Sequence, residues 1–151
     1  MKIFYVISIV LLLITSCSDI VKEDIIESYD NGNKKLVKKY TMKGNKEKLI
    51  SLTSYFENGQ ICEKENYKNN KLDGEWKSYF EDGNFYEEGY FSNDKENGKW
   101  KYYYDNGNIE SEGNYNDGLE DGEWKYYYEN GQLLEKGNYN QGNYNIISGW
   151  D

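Results

Sequence analysis

The 151-residue chain contains no proline, histidine, arginine or alanine. Without histidine, Ser-His-Asp triads, imidazole acid–base catalysis and His-based metal sites are all excluded. Alanine is the best helix former, so its absence weakens any helical reading. Positive charge is scarce as well. Eighteen lysines face 27 acidic residues, for a formal net charge of −9. Such a surface repels phosphate backbones and argues against a nucleic-acid partner. Cysteine is limited to Cys17 and Cys62, and long apolar runs to one segment near the N-terminus.

What is present points to strands and turns. Tyr reaches 17 and Gly 15, and Asn is frequent. Tyr, Phe, Trp and Ile favour strands, while Asn-Gly and Asp-Gly favour tight turns. The composition therefore predicts an all-β protein.

The N-terminus reads MKIFYVISIVLLLITSC. Lys2 supplies a positive start, and Ile3 to Ile14 form an apolar run interrupted only by Ser8. That run is short for a bilayer span and suits the core of a signal peptide. Ile14-Thr15-Ser16-Cys17 resembles the lipobox of bacterial lipoproteins. The resemblance implies cleavage of residues 1–16, acylation of Cys17 and a lipid-anchored place in the cell envelope, with residues 17–24 as anchor and tether. Several acyl chains, at about 0.8 kcal/mol per buried methylene, anchor a protein stably. Cleavage would leave 17 lysines against 27 acidic residues, a net charge of −10. Cys62 would then be the sole free thiol, without a histidine to activate it, and is read as structurally idle.

Internal repetition is the dominant signal. Residues 76–99, 100–123 and 124–147 align without gaps. Trp76, Trp100 and Trp124 recur every 24 residues, as do Gly83, Gly107 and Gly131, and Gly89, Gly113 and Gly137. Two weaker copies lie upstream, with Leu52 and Ile25 at the tryptophan position. Five units thus span 25–147, and residues 148–151 read as a C-terminal cap in which Ile146 or Ile147 and Trp150 pack on the last unit.

Each unit reads as a hairpin. In the fourth, Trp100 to Tyr104 is one strand, Asp105-Asn106-Gly107-Asn108 a type I′ turn, and Ile109 to Tyr115 the second strand, followed by a longer return loop. Alternation puts Trp100, Tyr102, Tyr104, Ile109, Ser111, Gly113 and Tyr115 on one face, and Lys101, Tyr103, Glu110, Glu112 and Asn114 on the other. Gly89, Gly113 and Gly137 would make room for facing aromatic rings. A lone hairpin is marginal, so the units must stack. The expected fold is an elongated single antiparallel meander of stacked 24-residue β-hairpin repeats.

The pattern G-x-W-K-x-Y-Y-x-[DN]-G-x-[IL]-x-x-x-G-x-Y, visible in 98–115 and 122–139, resembles the MORN-repeat variant of bacterial proteins. Proteins of that kind include antitoxins of YwqK-like toxin–antitoxin systems. The resemblance implies contact with membrane lipid or protein scaffolding, and no cofactor is expected.

No enzyme chemistry stands out. Glu87/Glu88 and Glu110/Glu112 recur at strand surface positions and read as solvated. The stretch 117–122 lacks the ligand spacing of a 12-residue Ca²⁺ loop, and no metal site is expected. The expectation is a non-catalytic, lipid-anchored scaffold. It contacts the membrane through Cys17 and a protein partner through Tyr79, Tyr103 and Tyr127. An antitoxin or immunity role is the alternative.

Overall fold

The computed structural model describes residues 19–149, with side chains through Asn145. The leader 1–16, Cys17 and Trp150 lie outside the described residues, as do the side chains of Ile146 and Ile147.

One antiparallel sheet accounts for the described residues. Its strands are β1 (Ile20–Ser28), β2 (Lys34–Lys43), β3 (Lys46–Tyr55), β4 (Ile61–Lys68), β5 (Lys71–Leu72), β6 (Gly74–Tyr79), β7 (Phe85–Ser92), β8 (Lys95–Glu96), β9 (Gly98–Tyr103), β10 (Ile109–Asn116), β11 (Leu119–Tyr127), β12 (Leu133–Asn140) and β13 (Asn143–Gly149). Eleven follow one another across the sheet in chain order, and the two-residue strands β5 and β8 pair with β4 and β7 beside this path. The all-β meander read from the sequence is the observed fold.

Three local features differ from the sequence reading. The first is the identity of the turns. The loop at Gly107 is not type I′: Gly107 has φ +84°, but Asn106 is not in the left-handed region. The Gly107 N–H donates to Tyr104 O at 2.9 Å, and the Tyr104 N–H donates to Asn108 O at 2.9 Å. This is a three-residue loop, a type I turn closed by a left-handed glycine, with Tyr104 and Asn108 as the closing pair. Tyr29/Asn33, Phe56/Gln60, Phe80/Asn84 and Tyr128/Gln132 close their loops in the same way.

The type I′ geometry sits at the other end of the sheet. Asn69-Asn70 (φ 54° and 61°), Asn93-Asp94 (51° and 70°), Asp117-Gly118 (55° and 86°) and Gln141-Gly142 (49° and 78°) carry two successive positive φ values. The stretch read as a long return loop is therefore a second tight hairpin. Asn116 pairs with Leu119 and Asn140 with Asn143 on either side of it.

The third difference is parity. Ile109 pairs with Tyr103, but Ser111 pairs with Tyr102, so Glu110 is an extra residue. The same bulge follows Phe85 and Leu133. One inserted residue moves everything beyond it to the opposite face. Ile109, Phe85 and Leu133 therefore join the Tyr79, Tyr103 and Tyr127 face rather than the tryptophan face.

At the ends, Ile20 to Asp24, read as part of the tether, pair with Met42 to Lys38 as the first half of β1. Ser148 and Gly149, read as part of the cap, pair with Lys136 and Glu135 as the end of β13.

Candidate functional site

The sheet is one layer thick, so its two faces divide the work. Among the described residues the buried apolar side chains are Val37, Tyr40, Trp100 and Trp124, both tryptophans at 3% exposure.

Trp100 lies flat over Gly89, and Trp124 over Gly113. A methyl group built on either glycine would fall on the indole ring. Tyr144 covers Gly137 in the same way. The rings then interlock edge to face, Phe91–Trp100 at 5.2 Å, Trp100–Tyr115 at 5.8 Å, Tyr115–Trp124 at 5.2 Å and Trp124–Tyr139 at 5.9 Å between centroids. Each polar tip finds an acceptor. The Trp100 indole N–H donates to Tyr90 O at 3.3 Å and that of Trp124 to Asn114 O at 3.1 Å. Tyr102 and Tyr115 share a hydroxyl contact of 3.1 Å, Tyr126 and Tyr139 one of 2.9 Å. Burial pushes the Tyr102 and Tyr126 phenols far above their usual range, so they stay neutral. Edge-to-face aromatic pairs add about 0.5–1.5 kcal/mol each beyond the area they bury. This face is a zipper within the molecule.

The zipper fails toward the N-terminus. For Trp76 the position that holds glycine for its successors is Glu65, 24 residues before Gly89. The Trp76 N–H donates to Glu87 Oε1 at 3.3 Å, and the ring stays half-exposed. Glu63, Glu65 and Glu87 gather there. The Glu63 carboxyl is pushed up to about 6, first by burial and then by Glu65 and Glu87. No group of three carboxylate, cysteine or histidine side chains able to hold a metal ion occurs among the described residues.

The other face carries a ladder of charge. Lys77, Glu88, Lys101, Glu112 and Lys125 stand opposite one another across five successive strands. Lys101 Nζ lies 3.7 Å from Glu88, and Lys99 Nζ lies 2.7 Å from Glu112, whose carboxyl Lys99 holds below the usual range. The tyrosine row runs alongside. Tyr103 donates to Glu88 Oε1 at 2.6 Å and Tyr127 to Glu112 Oε1 at 3.1 Å. Both rings are half-buried.

Tyr79 differs. Lys64 stands where its counterparts have Glu88 and Glu112, and it directly faces Lys77. Tyr79 stacks on Phe85 at 5.0 Å, and Phe85 lies 5.8 Å from Tyr103. The structure thus places the three tyrosines in one row, two with hydroxyls engaged by glutamates and one beside two lysines. Cys62 is a half-exposed free thiol at the bulge position of β4.

The sequence reading missed the asparagines. Asn33, Asn58, Asn84, Asn106 and Asn108 each donate a side-chain amide to a backbone carbonyl in the next unit's turn. The acceptors are Glu57, Glu81, Asp105 and Glu129, at 2.6–3.2 Å. At the opposite edge the N–H groups of Asp94, Gly118 and Gly142 donate to Leu72, Glu96 and Glu120 carbonyls. Both rows of turns are therefore tied unit to unit. The recurring Asn, Asp or Gln on either side of each of these turn glycines was the available signal.

None of the curated proteins matches the chain. The MORN repeat variant matches it in four stretches, 51–69, 72–93, 96–117 and 120–141, together more than half of its length. Each ends at or within one residue of a type I′ turn, and the unit at 25–51 is not among them. Four matched copies, joined turn to turn across one sheet and covering more than half of the chain, make it a member of the MORN repeat variant family.

Proposed function

We propose that the chain is a non-catalytic, lipid-anchored protein of the bacterial cell envelope that holds a protein partner on its tyrosine face. The observation that carries the reading is the segregation of charge along the sheet. Residues 34–48 contain seven lysines and one glutamate, whereas 73–135 contain seventeen acidic residues and five lysines. The lysine-rich hairpin β2–β3 adjoins β1, which begins three residues after Cys17. An acyl anchor at Cys17 would hold that hairpin against anionic headgroups, worth about 1 kcal/mol per lysine near the surface. The acidic repeats would be turned away from the bilayer.

The partner is then met by the outer units. Tyr79, Tyr103 and Tyr127 recur at every second strand, about 10 Å apart. They flank alternating lysines and glutamates, which suits a protein surface with a complementary charge pattern. Tyr79, beside Lys64 and Lys77, favours an acidic group on the partner.

Two measurements test this. Labelled palmitate should enter the wild-type protein and not a Cys17→Ser variant, which should also leave the membrane fraction. A photo-reactive phenylalanine analogue at position 79, 103 or 127 should give one discrete cross-linked protein in living cells. Absence of any such species from all three positions would refute the partner site. A species that is toxic when produced alone would move the reading to the antitoxin alternative.

A further inference from the structure

We propose that two copies of the chain pair through β1, edge to edge and antiparallel about a two-fold axis at Glu23. Among the described residues β1 is the outermost strand of the sheet, and all nine of its residues are exposed. An edge of that length with aliphatic side chains is a template for another strand unless it is blunted. Here the blunting is slight, since the chain has no proline and both register shifts of the β1–β2 pair lie beyond Ile25, toward the end of the strand. Ile20, Val21, Ile25 and Ile26 are 63, 55, 61 and 49% exposed, more aliphatic surface than any other strand leaves open among the described residues.

The occupant is set by the residues themselves. With Glu23 facing its own copy, Lys22 meets Asp24, Val21 meets Ile25 and Ile20 meets Ile26, and each pair occurs twice. Charge therefore faces opposite charge and aliphatic faces aliphatic. The single like pair, Glu23 with Glu23, is flanked on both sides by the Lys39 that each Glu23 already faces on β2. Cross-strand pairs of these kinds contribute about 0.2–1 kcal/mol each, and the two-fold axis counts them twice.

Direction excludes the simplest competitor. β1 and β13 are the first and last of eleven strands, each antiparallel to the next, so they run the same way. Stacking β13 of one copy on β1 of another with the tryptophan faces on the same side would demand a parallel ladder in a wholly antiparallel sheet, and an antiparallel contact there would turn the two tryptophan faces to opposite sides. Pairing β1 with β1 continues the antiparallel pattern. The inference is independent of the tyrosine-face reading, because β1 lies outside the four matched repeats.

Disulfide trapping in the full-length, envelope-located protein tests it, in a Cys62→Ser background. Directly opposed residues of an antiparallel pair have Cα atoms about 4.5–5.5 Å apart, within disulfide range, so Glu23→Cys should cross-link to a homodimer at least about tenfold more than Val21→Cys. Val21→Cys and Ile25→Cys produced together should form a mixed dimer that neither forms alone. Ile25→Lys added to Glu23→Cys should abolish the trapped dimer while the thermal transition stays in place. Equal trapping at 21 and 23, or a dimer that survives Ile25→Lys, would overturn the proposal.

Discussion

Trp124 and Trp76 occupy the same place in units two apart, yet only one is a core residue. Trp124 lies on Gly113 at 3% exposure and donates to a backbone carbonyl. Trp76 has Glu65 at the position of that glycine, donates to the Glu87 carboxylate and stays half-exposed. The difference teaches that the zipper is a property of adjacent units and not of the tryptophan. A ring needs a glycine in the preceding unit to lie down. Where the glycine is missing, the apolar column gives way to Glu63, Glu65, Glu87 and Ser78. The C-terminal units are held by interlocked aromatic rings, and the N-terminal ones by a smaller buried pair, Val37 and Tyr40, with ion pairs and backbone pairing.

The sharpest way to break this comparison is to remove each ring. Trp124→Ala should cost about 3–5 kcal/mol, as for a buried large aromatic, and Trp76→Ala about half of that. Urea titrations followed by far-UV circular dichroism measure both. Equal losses would mean that Trp76 is as well packed as its successor. The seat comes next. Gly113→Ala drives a methyl into the Trp124 ring and should cost about 1–3 kcal/mol, whereas Glu65→Ala should change stability by less than about 1 kcal/mol.

The acidic cluster gives a test with a sign. Folding raises the Glu63 pKa, so the folded state holds the proton longer than the unfolded chain does. That stability is present below the unfolded value and is lost as pH rises from about 4.3 to about 6. The shift taken whole would be about 2 kcal/mol, and solvent screening of a half-exposed group reduces it to about 1 kcal/mol. The melting temperature of the wild type should therefore lose a component between those pH values that Glu63→Gln lacks. A parallel pH profile in the two proteins would remove Glu63 as its source.

The smallest effect concerns the turns. Asn70 holds φ 61° where the turn at 117–118 has a glycine. Asn70→Gly should stabilise the N-terminal units by about 0.5 kcal/mol, because glycine adopts this conformation without steric cost. Gly118→Asn should do the reverse, and thermal melts resolve both.

The strand order and the repeat units were legible in the sequence because period and alternation depend only on spacing. The turns were not. Asn106-Gly107 fits a two-residue or a three-residue loop, and only the closing pair, Tyr104 with Asn108, decides. The choice sets the parity of the strand beyond the loop. Ile109 suits either face chemically, so nothing in its identity marks Glu110 as the extra residue. The tyrosine row itself was legible from its period. Its uneven hydroxyl partners were not, because they depend on which residue of the neighbouring strand stands alongside.

The asparagine ties between turns have one more consequence. Each amide grips a main-chain oxygen, an atom every residue possesses, so a tie asks nothing of the side chains it reaches. A whole module of 24 positions can be copied or deleted and every clasp still closes on its new neighbour. The reach of the molecule is thus free to change by slippage of its coding sequence, like links added to a chain whose clasp never varies.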